Sequence, residues 1–183
     1  MAIDANAHDG FNRGTATIAS SGFRNCDAIV VFPAFDFTGM ADMDNMLRDS
    51  CALTDYEAIK MGDVTDISNM FLNTSLDTLA DGMDWGSVTN ASGALRNSSI
   101  VNLPSGLGLT LGNCTNFTLF GTGLTVATAD YDSFLVDLES VNGNSSVTLD
   151  MGSSTYTSAG AGGTARTALI NDHSWTINDG GGV

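Results

Sequence analysis

Apolar residues recur at a fixed spacing along the first two-thirds of the chain. From Val64 they fall at Val64, Ile67, Met70 and Phe71, then at Leu76 and Leu79. The same offsets from Val88 give Val88, Ala91, Ala94, Leu95, Ile100 and Leu103. Met40, Met43, Met46, Leu47, Leu53 and Tyr56 repeat the pattern with one extra residue before Leu53. Ala16, Ala19, Gly22, Phe23, Ile29 and Phe32 carry the same insertion. A looser fifth copy runs Leu111, Cys114, Phe117, Leu124 and Val126. The starts, Ala16, Met40, Val64, Val88 and Leu111, lie 24, 24, 24 and 23 residues apart. Both prolines, Pro33 and Pro104, follow the last apolar residue of a copy. Asn25, Asn73 and Asn97 recur two residues past the Phe or Leu position.

A fixed period of this length means stacked units. Offsets 0, +3, +6 and +7 predict one face of a short helical or 3₁₀ turn. Offsets +12 and +15 predict a short extended segment after an Asn/Ser/Thr corner. One copy buries too little apolar surface to fold alone, so neighbours must share a core. The expectation is an α/β solenoid of about five rows of 23–24 residues, over residues 15–128, with short strands and short helices. Recurrent Asn at a corner predicts a ladder of side-chain hydrogen bonds.

Residues 129–183 read as a helix-and-strand cap. Tyr131, Phe134, Leu135, Leu138 and Val141 have helical spacing after Asp130, a candidate N-cap. Val147–Leu149 and Trp175–Ile177 read as strands, and Arg166, Ala168, Leu169 and Ile170 as a second helix ended by Asn171–Asp172. A cap covers the edge that an open stack would expose. Residues 1–14 form an N-terminal arm.

These residues carry a resemblance. The run VTDISNMFLNTSLDTL from Val64, together with FRNCDAIVVFPAFDF from Phe23, resembles the BspA-type leucine-rich repeat, also seen as the mycoplasma-type surface-protein repeat. Phe23-Arg24-Asn25-Cys26 matches the phenylalanine-to-cysteine part of that motif, and Val64 to Asn73 its opening. TYTSAGAGGTARTALINDHSWTINDGG, from Thr155, resembles the module that closes such arrays in phage and bacterial surface proteins. Ser174 stands where that module usually has glycine. The resemblance implies a BspA-like leucine-rich repeat that displays a surface, as in a phage fibre, spike or capsid-decorating subunit.

Charge narrows the partners. Against 21 acidic residues stand six Lys and Arg, a net charge of -15. Six scattered cations cannot track a phosphate backbone or an anionic lipid surface. Three cysteines exclude a disulfide scaffold. Cys26, Cys51 and Cys114 lie in apolar surroundings and read as buried thiols. A hydrophobic content of 43% opposes disorder. No run reaches the roughly 20 apolar residues of a membrane span. Met1 to Arg13 lacks an apolar run, which predicts no signal peptide.

Candidate chemistry is sparse. His8 and His173 have no metal-ligand or catalytic spacing. No nucleophile elbow or Walker-type loop appears. Ser158 to Arg166 is a glycine-rich loop before a helix. Asp42, Asp44 and Asn45, and Asp130 with Asp132, read as solvated faces rather than calcium sites. Met40, Met43, Met46 and Met70 read as core filling. The expectation is therefore a non-enzyme with no cofactor and no metal.

What remains is a surface. Outward positions of the extended segments stack into one column: Val30 and Val31, Thr54 and Asp55, Asp77 and Thr78, Val101 and Asn102, then Thr125. The expected role is a virion structural protein whose column meets a protein or a host glycan. Residues 1–14 would anchor it to other virion or surface proteins, and homo-oligomerisation is open. The alternatives are a fragment of a bacterial cell-surface adhesin and a glycan hydrolase working through paired acids.

Overall fold

Two residues in each copy decide the backbone. Asn45 and Asp49, Asn69 and Asn73, and Gly93 and Asn97 all have φ between 52° and 63°. Asn, Asp and Gly tolerate this left-handed region best. Its recurrence every four residues stops an α-helix from winding. Instead the chain makes successive tight turns. In one copy the N–H groups of Met70, Leu72 and Thr74 donate to the carbonyls of Ile67, Asn69 and Phe71 at 3.0–3.3 Å. The alternate N–H groups point to the next copy. Ile67, Asn69, Phe71 and Asn73 donate to the carbonyls of Asn90, Ser92, Ala94 and Arg96 at 2.9–3.1 Å. Equivalent sets begin at Ala19, Met43 and Ala91. Parallel bridges then run Ile18–Asp42–Asp66–Asn90–Asn116.

The computed structural model describes residues 18–32, 37–57, 59 and 61–183. Its elements are β1 (Val31–Phe32), β2 (Asp55–Tyr56), α1 (Leu107–Thr110), α2 (Thr128–Val141), β3 (Thr148–Asp150), α3 (Ala161–His173) and β4 (Thr176–Asn178). β1 pairs with β2 and β3 with β4, both parallel, as two separate two-stranded sheets.

This corrects the expected α/β leucine-rich-repeat solenoid of about five strand-and-helix rows. Among the described residues no helix forms before Leu107, and the strands are two or three residues long. Regular helix packing belongs to the C-terminal part, where α2 packs against both α1 and α3. The inward offsets are buried as their periodicity requires: Val64, Ile67, Met70, Phe71, Val88, Ala91, Ala94 and Leu95 are all 0% exposed. They are buried by turns, because the left-handed residues between them exclude a helix.

The fifth copy also shifts. The Ala91 N–H donates to the Asn116 carbonyl, as Ile67 does to Asn90. Phe117 therefore occupies the place of Ala91, and the copy starts at Cys114 rather than Leu111. The step is 26 residues here, and α1 lies within this longer connection.

Residues Ile29 through Ile177 contribute to one hydrophobic cluster. Phe120 and Phe134 stack at 6.2 Å, and Phe117 meets Trp175 at 6.0 Å, which ties the turn region to the C-terminal helices and strands. Close helix approach explains two glycines. A Cβ on Gly108 would lie 2.5 Å from Asp137 Cβ, and one on Gly162 would lie 2.0 Å from Asp132 Oδ1. β3, α3 and β4 form a parallel crossover unit in which α3 returns the chain to the sheet.

Several local expectations change. Asp130 is in the first turn of α2 and Ala127 is the cap residue; Asp130 Oδ2 instead accepts the Leu103 N–H at 3.2 Å. Asp132 Oδ1 accepts the Thr157 N–H at 2.9 Å. These two acids fasten loops and do not form a solvated pair. α3 already starts at Ala161, inside the glycine-rich segment, and runs to His173. Cys114 is buried, but Cys26 is half-buried and Cys51 exposed. Among the described residues no helix is long and apolar enough to cross a membrane. The expected arm, residues 1–14, lies outside the described residues.

Candidate functional site

All nine residues of the expected column are exposed. Backbone pairing gathers them into two blocks. In the first, Val31 is in register with Asp55, and the Val30 carbonyl accepts the N–H groups of Thr54 and Asp55 at 3.0 and 3.3 Å. In the second, Thr78 bridges Asn102 and the Val101 N–H donates to the Asp77 carbonyl at 3.0 Å. The Ala127 N–H reaches the Val101 carbonyl at 2.8 Å, which sets Thr125 beside this block.

The join between the blocks is a side chain. Tyr56 of β2 is buried, and its hydroxyl accepts the Ala80 N–H at 3.0 Å and donates to Met83 Sδ at 2.6 Å. Burial pushes its ionisation well above the ordinary phenol range, so it remains a neutral donor. Below the strip, Phe32, Tyr56, Leu79 and Leu103 point inward. The outward side chains therefore stand on a packed floor. Val30, Val31 and Val101 are 47%, 39% and 48% exposed, beside the acids Asp55 and Asp77. The strip runs from the valines Val30 and Val31, through the acids Asp55 and Asp77, to Val101, Asn102 and Thr125.

A second feature lies at the other end of the molecule. Arg166 of α3 directs Nε to Asp179 Oδ2 at 2.8 Å and Nη2 to Asp179 Oδ1 at 3.2 Å. The side chain of Asp179 is 2% exposed. Tyr131 of α2 donates its hydroxyl to the same carboxylate at 2.9 Å, and Gly181 adds its N–H at 3.1 Å. Arg166 also reaches the Ile177 carbonyl at 3.3 Å and lies over the Tyr156 ring, 4.8 Å from its centroid. Burial disfavours the guanidinium charge, but the Asp179 hydrogen bonds and charge outweigh it and raise the Arg166 pKa. Burial, with the Asp179 charge adding, pushes Tyr131 upward. An open cleft of about 580 Å³ borders this cluster, with Thr122, Asp150, Arg166 and Asn178 on its wall.

Arg166 and Asp179 lie 13 residues apart, and no motif spacing in the sequence joins them. The available signal was that Arg166 is the only Lys or Arg beyond Arg96. Burial pushes the Cys114 thiol up to about 12, which leaves it little nucleophilic character. Among the described residues no three His, Cys, Asp or Glu side chains gather as a metal site. Comparisons with protein-family models, curated proteins and solved structures found no match to the chain.

Proposed function

We propose that the chain is a non-enzymatic binding protein, a structural or attachment component of a virion, that meets its protein partner through the exposed strip. The observation that carries this reading is the strip itself. Exposed valines and acids at Val30, Val31, Asp55, Asp77 and Val101 are held on paired backbone above a buried floor. A face held on paired backbone loses less entropy on binding than an unpaired loop does. Exposed apolar groups rimmed by polar ones mark interaction sites. The virion setting rests on the resemblance of Thr155–Gly181 to the closing module of phage and bacterial surface proteins.

The test is particle incorporation. Purified particles contain the chain by mass spectrometry, and a Val31→Asp/Val101→Asp variant incorporates poorly while its circular dichroism and melting stay unchanged. Absence from particles, or normal incorporation of the folded variant, overturns the reading.

A further inference from the structure

We propose that the C-terminal cleft is a binding site for a hydroxyl-rich ligand of sugar size that carries no negative charge, separate from the strip. The first argument is charge. Arg166 and Asp179 cancel one another through two direct contacts, so the guanidinium offers no net attraction to an anion. Asp150 leaves the wall slightly negative, on a chain of net charge -15. Anionic ligands are repelled.

The second argument is an inventory of hydrogen-bonding capacity. Asp179 receives four donors: Arg166 twice, Tyr131 and Gly181. Asp150 receives the Leu119 N–H on one oxygen and Asn178 Nδ2 on the other. Asp179 is thus filled within the protein, whereas Asp150 keeps one acceptor site on each oxygen. Among the described residues, Arg166 Nη1, the Thr122 hydroxyl and the Asn178 side-chain carbonyl have no further partner. These are a donor, a group that both donates and accepts, and an acceptor on one wall. A sugar hydroxyl also donates and accepts, and adjacent hydroxyls match such an alternating set.

The third argument is rigidity. Arg166 is fixed by Asp179 on one edge and by the Tyr156 ring beneath, and Asp179 is itself held by Tyr131. A side chain already ordered loses little entropy on binding. The cleft, at about 580 Å³, has the size of a small-molecule site.

Saturation-transfer NMR with millimolar methyl glycosides of glucose, galactose, mannose and N-acetylglucosamine tests the proposal. Methyl glucuronide and methyl glucosaminide serve as the anionic and cationic comparisons. The expected result is transfer to at least one neutral glycoside, with affinity reduced about tenfold in a folded Thr122→Val/Asn178→Ala variant. No transfer to any neutral glycoside overturns the proposal. So does an unchanged signal in that variant, or a stronger signal from the anionic glycoside than from the neutral ones. The strip variant Val31→Asp/Val101→Asp leaves the signal intact, so failure of the strip and failure of the cleft are separate results.

Discussion

Asp42, Asp66, Asn90 and Asn116 occupy the same place in successive copies. Each side chain accepts the N–H two residues on, at 2.8–3.2 Å, from Asp44, Ser68, Ser92 and Thr118. Asn can do more than Asp there. Asn90 Nδ2 donates to Asp66 Oδ2 at 2.8 Å, and Asn116 Nδ2 to Asn90 Oδ1 at 3.0 Å. A second ladder runs from Asn97 to Asn73 at 3.3 Å and from Asn73 to Asp49 at 2.7 Å. Asp42 is the member least suited to its charge. Burial raises its pKa, and the charges of Asp44 and Asp66 add to the rise, although the Asp44 N–H opposes it. The folded state therefore holds the Asp42 proton more tightly than the unfolded state does. Stability from this group is intact below the ordinary carboxyl range and is lost as pH rises through the raised value. Asp42→Asn keeps the turn hydrogen bond, as Asn90 and Asn116 demonstrate in their own copies. Urea unfolding is expected to show the variant more stable than the parent at neutral pH and equal to it near pH 3. A variant no more stable at neutral pH contradicts this account.

At the scale of elements, the junction of α3 and β4 carries visible strain. Ser174 ends α3 with φ 59° and ψ 32°, and its N–H donates to the Ile170 carbonyl at 3.1 Å. A left-handed conformation costs an L-residue roughly 1–2 kcal/mol, part of which glycine returns through greater freedom when unfolded. Ser174→Gly should therefore stabilise the protein by about 0.5–1 kcal/mol. Thermal melts that place the variant at or below the parent would refute this. The same junction shows what could be read from sequence. α2, α3, β3 and β4 were legible because Tyr131, Phe134, Leu135 and Leu138 keep a helical period and each strand alternates polar and apolar residues. Offsets 0, +3, +6 and +7 predict a helical or 3₁₀ turn because they suit both an α-helix and a stack of three-residue turns, and the chain forms the turns. Asn69 and Asn73 were the discriminating residues, since left-handed positions four apart cannot belong to a helix. The fifth copy slipped by three because Leu111 and Cys114 are both apolar and either could open it. The exposure of the strip was legible because its residues fall in pairs between inward apolar ones, as Thr54 and Asp55 do between Leu53 and Tyr56. The Arg166–Asp179 cluster was not, because its members meet only after α3 folds back over β4.

At the scale of the whole molecule, composition returns as energetics. With 21 acids and six cations, at least fifteen carboxylates have no cation to offset them. Two ion pairs join Asp49 to Arg24 at 3.6 Å and to Arg48 at 3.1 Å, on partly exposed side chains. Exposed pairs contribute little and are screened by salt. The Arg166–Asp179 pair is sheltered and is screened much less. Repulsion among the remaining carboxylates outweighs attraction in the surface pairs, and it acts over a screening distance of ~10 Å at 0.1 M salt. Raising sodium chloride at neutral pH should therefore raise the melting temperature, because it weakens net self-repulsion. Near pH 3 most carboxylates are protonated, and the same addition should have a much smaller effect. Scanning calorimetry across both series separates this from a general effect of salt on hydrophobic burial, which would persist at the lower pH. A melting temperature that falls or stays level with salt at neutral pH would mean that attractive pairs dominate the surface.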